Sequence, residues 1–584
     1  MHITWLQALL IALAAYLGTS VWVFGVGYYT LYRPLIGGTI VGLILGDVRQ
    51  GMLFGAALNA VHLGFISTGG SLPSDLVTAG YMGTALALAS GLDVDAALAT
   101  FGIPLGVLGG FLWFGRMTLG SVFVHWADAR AEKGDARGVA AINLWAGQGL
   151  LLAFYAVPTF VIVYYGQQGI DYVLALIPDT LTSALTVVGG MLPAVGIGLL
   201  LRSIAKVKLI PYLIVGFVLA LYLDLPIVVL ALLGLCAAWL AVGDVRGSPL
   251  RSDEDHRTEM PRRVPEKVLW GAWWRWAMFL HASYNYERLQ GLGFAHALKP
   301  VIEYLYTTVE ERAAALKRHL VFFNSEPQIG ALVPGVVIAM EEERASGAPI
   351  SDEAINGIKS GLMGPLAGVG DSLIQGLITP LLLSMGISLA QQGSLAGPVL
   401  YALLISAVVL GTSYTFWTLG YRWGKAAVTR ILSSGWVQTI SDSAAVVGMT
   451  VLGGLVANTV QFSTPASIVV GQAVVSLQTD LLDVILRGLL PLTLTLLTWK
   501  LLSSRVSPMR MIGLIFVIGI DLTYLGLAGW SAPPLFSRDW IDFVVGGLPA
   551  TVSSVLVHLW PPIVATALGI VAVIRGKRRA QDHK

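Results

Sequence analysis

Charged residues are scarce in this chain. Aspartate, glutamate, lysine and arginine make up 12% of its 584 residues, whereas hydrophobic residues make up 55%. A soluble domain usually has about 25% charged residues, so this chain has too few to cover a water-exposed surface. The charges also cluster in short segments, the clearest being Trp126–Arg137, Arg246–Lys267, Glu303–His319 and Arg575–Lys584. The composition therefore predicts a protein that is embedded in a membrane.

Cysteine is almost absent, since Cys236 is the only one. A single cysteine excludes an intrachain disulfide and a cysteine metal cluster. The patterns H-E-x-x-H and G-x-S-x-G, typical of zinc proteases and serine hydrolases, do not occur either. We therefore expect no metal, no cofactor and no catalytic residue in this chain. The net charge of +2 does not indicate a nucleic-acid partner.

Long apolar runs, in contrast, are frequent. A helix needs about 20 mainly apolar residues to cross a hydrocarbon core roughly 30 Å thick. The runs Ile142–Tyr164, Val399–Leu419 and Val555–Ile574 reach that length. We predict an all-α polytopic membrane protein with roughly fifteen hydrophobic segments, some of them re-entrant hairpins. Transporters of this kind often contain inverted repeats.

One polar segment divides the chain. Residues 243–267 read GDVRGSPLRSDEDHRTEMPRRVPEK, and such a charged, proline-punctuated segment is typical of a linker. By the positive-inside rule its arginines place it in the cytoplasm, together with the basic tail RGKRRAQDHK. We predict membrane domains at residues 1–242 and 268–530. Residues 531–584 are predicted to add one transmembrane helix and the cytoplasmic tail.

Polar residues interrupt the apolar sequence at three places, the first within Leu45–Gly80. Asn59 and His62 are three residues apart and share one helical face. A glycine pair, a proline and Asp75 follow, which predicts an unwound hairpin lining a cavity. Amide and carboxylate groups suit a sugar, because each hydroxyl both donates and accepts. An ordinary loop with His62 as a packing residue fits the pattern equally well.

The second place is the segment FFNSEPQIGALVPGVVIAMEEERASG, residues 322–347. Asn324 and Glu326 are flanked by apolar residues, which favours a buried polar site. The acidic triplet Glu341–Glu343 ends the apolar run, and we expect it at a solvated helix end.

The third place is the glycine-rich segment Ile355–Pro380, in which Gln375 follows Asp371 by four residues. It lacks the G-x-x-x-x-G-K-[ST] order of a nucleotide-binding loop. The segment predicts a re-entrant or broken helix with Asp371 near a substrate. Tight helix packing through glycine, with Asp371 as a helix N-cap, explains the pattern equally well.

These segments resemble one family. ASYNYERLQGLGF at Ala282–Phe294, FFNSEP at Phe322–Pro327 and AINGIKSGLMGPLAGVGDS at Ala354–Ser372 resemble the IID component of the mannose family of the phosphotransferase system. RPLIGGTIVGLILGD at Arg33–Asp47 and QGMLFGAALNAVHLGF at Gln50–Phe65 resemble the IIC component. The two components are usually separate chains, and here they are similar to the two halves of one chain.

The resemblance implies an elevator-type, trimeric permease of the bacterial inner membrane for a hexose or amino sugar. Soluble IIA and IIB proteins would relay phosphate from phosphoenolpyruvate, and IIB would phosphorylate the sugar, so no phosphate-accepting residue is expected in this chain. We expect the sugar to be bound by Asn59, His62, Asp75, Asn324, Glu326, Asp371 and Gln375.

The resemblance does not name the sugar, because Asn59 and His62 differ from the residues usual in the family. Two other functions fit the same sequence. One is a facilitator or ion-coupled permease that does not phosphorylate its substrate. The other is a membrane sensor that binds sugar without transporting it.

Overall fold

A computed structural model describes residues 2–20, 27–64, 74–176, 179–205, 207–242, 264–424, 436–470, 473–504 and 506–528. Most of the predicted linker, the predicted hairpin tip at 65–73 and the whole C-terminal extension lie outside the described residues. We call residues up to 242 the first unit and residues from 264 onward the second unit.

Both units are helical. The helices of the first unit are Trp5–Thr19, Pro34–Leu45, Val48–Val61, Thr78–Gly83, Thr84–Ser90, Val94–Ala97, Leu98–Gly102, Ile103–Leu119, Val122–Ala131, Ala136–Ala141, Ile142–Ala146, Gly147–Leu151, Leu152–Ala156, Val157–Leu176, Asp179–Met191, Pro193–Ile204, Val207–Leu209, Ile210–Leu223 and Ile227–Val242. Four of these, Thr78–Gly83, Leu98–Gly102, Ile142–Ala146 and Leu152–Ala156, are π-helical turns that continue directly into α-helix.

The helices of the second unit are Glu266–Phe279, Gly291–Leu305, Val309–His319, Ile329–Ala331, Leu332–Ala345, Asp352–Gly370, Asp371–Ile378, Thr379–Gln391, Ala396–Trp423, Trp436–Thr459, Leu477–Leu482, Asp483–Ile485, Leu489–Ser503 and Pro508–Tyr524. Two short strands, Ser467–Val470 and Ala473–Ser476, pair antiparallel.

Several helices are long and apolar enough to span a membrane. Within the described residues five continuous helices qualify, or six if the bent pair Leu477–Ile485 and Leu489–Ser503 forms one span. The five are Val94–Ala131, Ala136–Gly166, Ser183–Arg202, Asp352–Gln391 and Ala396–Arg422. The sequence predicts more segments, because some apolar runs belong to helices of only 10–17 residues, such as Pro34–Leu45. The chain is thus a multi-span helical membrane protein.

The helices Pro34–Leu45 and Val48–Val61 form a close hairpin. Gly46 joins them in the left-handed conformation, with φ of 90°. A Cβ atom on Gly51 would lie 2.7 Å from Gly42 Cα, and one on Gly38 would lie 2.9 Å from Gly55 Cα. The two backbones therefore touch, which only glycine allows.

Helices of the two units share hydrophobic cores. The first unit's Leu213 and Phe217 share a hydrophobic core with Leu455 of the second unit. Another core contains Val124 of the first unit and Leu298 of the second. Both of these cores thus combine helices from the two units.

One expectation differs from the structure. The sequence predicts a broken or re-entrant helix over Ile355–Pro380, but the helix runs without interruption from Asp352 to Gln391. A π-helical turn, Asp371–Ile378, lies in its middle, and Asp371 has helical dihedral angles rather than those of an N-cap. The glycines at 357, 361, 364 and 368 have no neighbouring atom within 4 Å of an added Cβ among the described residues. Close helix packing within the described part of the chain therefore does not explain these four glycines.

Candidate functional site

A cavity lies between the two units. It contains about 750 Å³ of space between its atoms, the part of its mouth that is open to solvent included. The first unit lines it with Gly18, Thr19, Tyr28, Tyr29, Tyr32, Trp113 and Arg116. The second unit lines it with His281, Tyr284, Gln290, Asn324, Ser325, Glu326, Pro327, Ala367, Asp371 and Gln375.

Interruptions of regular helix create this cavity. The helix Trp5–Thr19 ends at Ser20, whose backbone is extended, and residues 28–33 form turns before the next helix begins. On the opposite side, residues 322–326 connect two helices without forming one. Helix ends carry backbone groups without intrahelical partners, and they therefore supply a polar lining between apolar helices.

Gln290 fixes the connecting segment of the second unit. Its Oε1 accepts from the Ser325 backbone N–H at 2.9 Å, and its Nε2 donates to the Ser325 carbonyl at 2.7 Å. Asn324, Ser325 and Glu326 line the cavity, while Phe323 is buried in the hydrophobic core.

Glu326 presents an unused acceptor. The side chain is 2% exposed, and its Oε2 accepts from the backbone N–H groups of Gln328 and Ile329 at 3.0 and 2.7 Å. Its Oε1 is buried and has no hydrogen-bond partner among the described residues. A buried acceptor without a partner costs free energy, so this oxygen is suited to a donor from a bound molecule.

Further polar side chains of the second unit also line the cavity. Gln375 Nε2 donates to Asp371 Oδ1 at 2.6 Å, which orients both groups. Asn324 Oδ1 accepts from the Tyr284 hydroxyl at 2.9 Å. The lining thus combines carboxylates and amides with aromatic rings.

The predicted residues of the first unit lie outside the cavity lining. Asn59 Oδ1 accepts from the Leu35 backbone N–H at 2.9 Å and so caps the helix Pro34–Leu45. His62 contacts the Leu58 carbonyl at 2.8 Å and Ser74 Oγ at 3.0 Å. Both side chains are buried in contacts that support the helical hairpin.

Asp75 is also occupied by protein groups. Its Oδ1 accepts from the Thr78 backbone N–H and hydroxyl at 2.7 and 2.8 Å, and its Oδ2 accepts from the Tyr155 hydroxyl at 2.9 Å. The side chain is fully buried. Asp75 therefore ties the helix that begins near it to the helix carrying Tyr155, rather than facing the cavity.

Comparison with known proteins identifies both units. The profile of the "PTS system sorbose-specific iic component" matches residues 5–240, and that of the "PTS system mannose/fructose/sorbose family IID component" matches residues 263–528. The mannose-specific EIID component of Escherichia coli strain K12 is 38% identical over 279 residues, covering 47% of this chain and 98% of that protein.

Two further relatives agree with these matches. The sorbose-specific EIID component of Klebsiella pneumoniae is 41% identical over 250 residues, covering 42% of this chain and 91% of that protein. The N-acetylgalactosamine permease IIC component 1 of Escherichia coli strain K12 is 35% identical over 236 residues, covering 39% of this chain and 86% of the relative.

The chain belongs to the mannose/fructose/sorbose family of the phosphotransferase system. It is a membrane permease for a sugar, and it has a IIC unit followed by a IID unit. Residues 241–262 lie between the two matches.

Reasoning from the sequence missed several cavity residues of the permease. Tyr28 and Tyr32 stack with ring centroids 4.8 Å apart, and Trp113 and Tyr284 lie 6.4 Å apart. Aromatic residues are common in apolar helices, so their composition gives no signal. Arg116 did give a signal in the sequence, because a lone charge within an apolar helix indicates a functional position.

The expectation of a solvated acidic triplet is wrong for Glu341, which is fully buried. Arg318 donates to both of its oxygens at 2.6 and 3.0 Å, and His319 contacts Oε1 at 2.9 Å. Burial alone would raise the pKa of Glu341, but the hydrogen bonds of His319 and Arg318 and the charge of Arg318 hold this pKa well below its usual range. The sequence could not show these partners, because they come from another helix.

Proposed function

We propose that the permease binds a sugar in the cavity between its IIC and IID units and releases it for phosphorylation by soluble IIA and IIB proteins. One observation carries the assignment of the site. The buried Oε1 of Glu326, without a partner among the described residues, lines a cavity that both units build. A sugar hydroxyl is a donor of the kind this oxygen needs.

The remaining lining fits the other parts of a sugar. Asp371 and Gln375 offer acceptors and a donor to further hydroxyls. The rings of Tyr28, Tyr32 and Trp113 offer apolar surface to the carbon–hydrogen face of the sugar. Asn59, His62 and Asp75 would act indirectly, by fixing the helices that carry the lining.

The chain itself supplies binding and translocation. In the transfer step, a sugar hydroxyl oxygen forms a bond to the phosphorus of phosphorylated IIB. The phosphorus–nitrogen bond of its phosphohistidine then breaks, and the hydroxyl proton is released. We place this step at the cytoplasmic face, where the linker and the C-terminal tail would also lie by the positive-inside rule.

We extend the proposal to movement and assembly. Three rings of the cavity lining, Tyr32, Trp113 and Tyr284, belong to one mixed hydrophobic core. The helices Ile210–Leu223 and Trp436–Thr459 belong to another, which also contains Tyr29. An elevator mechanism would move the first against the second. The helix Ile227–Val242 exposes Leu232, Trp239 and Leu240, and such an apolar face suits lipid or the neighbouring copies of a homotrimer.

Sugar uptake tests the proposed function. Cells that express the chain, with and without matched IIA and IIB, are given a panel of radiolabelled hexoses and amino sugars. We expect sugar phosphate to accumulate only when IIB is present. Uptake of free sugar without IIB would instead establish a facilitator, and saturable binding without uptake would establish a sensor.

Two conservative variants test the site. Glu326→Gln and Asp371→Asn keep the size of the side chains but replace one carboxyl oxygen with an amide nitrogen, which donates and does not accept. Leaving a buried donor or acceptor without a partner costs about 1–3 kcal/mol, so we expect the apparent affinity for the sugar to fall about 5- to 100-fold. Glu343→Gln, on the helix Leu332–Ala345 and outside the lining, serves as the matched control. Wild-type affinity in both site variants would contradict the assignment.

A further inference from the structure

Arg116 is a buried cation at the cavity. It lies near the end of the helix Ile103–Leu119, is 5% exposed and contributes to the cavity lining. Its guanidinium carbon lies 4.5 Å from the centre of the Trp113 ring, so that the ring covers one of its faces. The edges of the guanidinium carry its donors and are left for other contacts.

No protein carboxylate pairs with Arg116 in the part of the chain that the structure describes. None of the ion pairs there includes it, and its guanidinium donates no hydrogen bond there. Asp75 interacts with it electrostatically, but the oxygens of Asp75 accept from Thr78 and Tyr155.

Burying a guanidinium without a paired carboxylate costs free energy unless a ligand supplies the missing partner. A charged side chain within membrane-spanning helices is by default part of a binding site or a pathway. A guanidinium only donates, and a neutral sugar hydroxyl accepts from it without the added attraction of an opposite charge. A carboxylate accepts two parallel hydrogen bonds from the planar guanidinium, which makes the pair both strong and directional.

Resting on the proposed function, we infer that the sugar carried by this permease bears a carboxylate, which Arg116 binds. The cavity is divided by charge in a way that fits such a ligand. Both acidic side chains of the lining, Glu326 and Asp371, come from the IID unit, whereas Arg116 comes from the IIC unit. The carboxylate of the ligand would face Arg116, and its hydroxyls would face the acids.

The phosphoryl transfer further restricts the class of sugar that the permease can carry. The substrate needs a free hydroxyl to accept the phosphoryl group in addition to its carboxylate. An aldonate, or an amino sugar with a carboxyalkyl ether, satisfies both requirements. D-gluconate and D-glucitol form a matched pair of probes, since they differ only in a carboxylate against a hydroxymethyl group. N-acetylmuramate and N-acetylglucosamine form a second pair.

Binding to the purified full chain in lipid nanodiscs, measured by calorimetry, tests the inference. We expect the acid of at least one pair to bind about tenfold or more tightly than its neutral partner. Arg116→Gln should remove this preference, and Arg116→Lys should retain part of it because the charge remains. Arg275→Gln is the matched control, since Arg275 donates to the Gly271 carbonyl of its own helix.

Three results would overturn the inference. They are binding of neutral sugars only, equal affinities within each pair, and equal weakening of both members by Arg116→Gln, which would mark Arg116 as structural. The comparison of the acidic and neutral member of each pair on the wild-type protein tests the inference even if the variants do not fold. If neutral sugars are taken up and phosphorylated with IIB while acids are not preferred, the inference alone fails. If no sugar of the uptake panel and neither member of either pair is bound or taken up, the proposed function itself fails.

Discussion

At the scale of single residues, polarity within apolar sequence marked the important side chains but not their partners. Glu326 and Asp75 are both carboxylates within largely apolar stretches of the sequence. Glu326 lines the cavity with an oxygen left over, whereas Asp75 is saturated by donors that include Tyr155, 80 residues away. A sequence alone cannot distinguish the two, because the distinction depends on contacts between distant segments.

His319 shows the same effect in a group that titrates. It lies in the last turn of the helix Val309–His319, fully buried, with Nε2 donating to Glu341. Burial lowers the pKa of His319 to about 4, despite the opposing contact with Glu341. The unfolded chain has a pKa of about 6.5 at this residue. Between these values the unfolded state binds the proton and the folded state does not.

We therefore predict that acid weakens the fold through His319. Its contribution is complete above pH 6.5 and is lost as the pH falls toward 4, by about 2 kcal/mol between pH 7 and pH 5. Denaturant unfolding in mild detergent at these two pH values measures the change. His319→Gln should reduce the pH dependence by that amount. His125→Gln, at a side chain that is 70% exposed, should leave it unaltered, and equal slopes in all three proteins would contradict the prediction.

At the scale of elements, local signals predicted helices well and their interruptions poorly. The apolar runs gave the long helices, but glycine and proline over 355–380 suggested a break that the helix does not have. A membrane helix tolerates these residues because the surrounding protein satisfies the freed backbone groups. The helix here stays continuous because one turn, Asp371–Ile378, is widened into a π turn. No sequence pattern predicts that widening.

The close hairpin Pro34–Leu45 and Val48–Val61 yields a prediction about packing. Gly51→Val places side-chain atoms against the backbone of Gly42, which must move away. Overpacking of this kind costs about 1–3 kcal/mol, and we expect a lower melting temperature in detergent and less protein in the membrane. Gly411→Val is the control, since no atom lies within 4 Å of its added Cβ among the described residues. Similar melting temperatures for the two variants would show that the hairpin is not tightly packed.

At the scale of the whole molecule, the linker suggested two membrane domains. The family matches divide at the same segment, and the two units pack closely on each other. Asp128 of the IIC unit receives two hydrogen bonds from Arg288 of the IID unit, at 2.7 and 2.8 Å, and the hydrophobic cores are shared. Contacts between segments hundreds of residues apart leave no trace in the local sequence.

Shared cores predict that the covalent connection is dispensable once the protein has folded. We expect that cleavage at a protease site inserted into residues 243–263 leaves the two units together during affinity purification and size-exclusion chromatography. Sugar uptake should remain within about twofold of the uncut chain, because the apolar contacts between the units are untouched. Separation of the two fragments after cleavage would show that the linker, rather than the cores, maintains the assembly.

Because of the widened turn at Asp371–Ile378, the number of residues in the helix matters as well as their identity. A π turn contains one residue more than an α turn, and each residue of an α-helix advances by about 100° around the axis. Deleting one residue within this turn would restore regular geometry without rotating either half of the helix, whereas deleting one residue elsewhere would rotate the preceding half by that angle. Asp371 faces the cavity while Pro380 and Ile387 remain buried only because the turn absorbs this offset. A change of length elsewhere in this helix would therefore be as damaging as a change of charge.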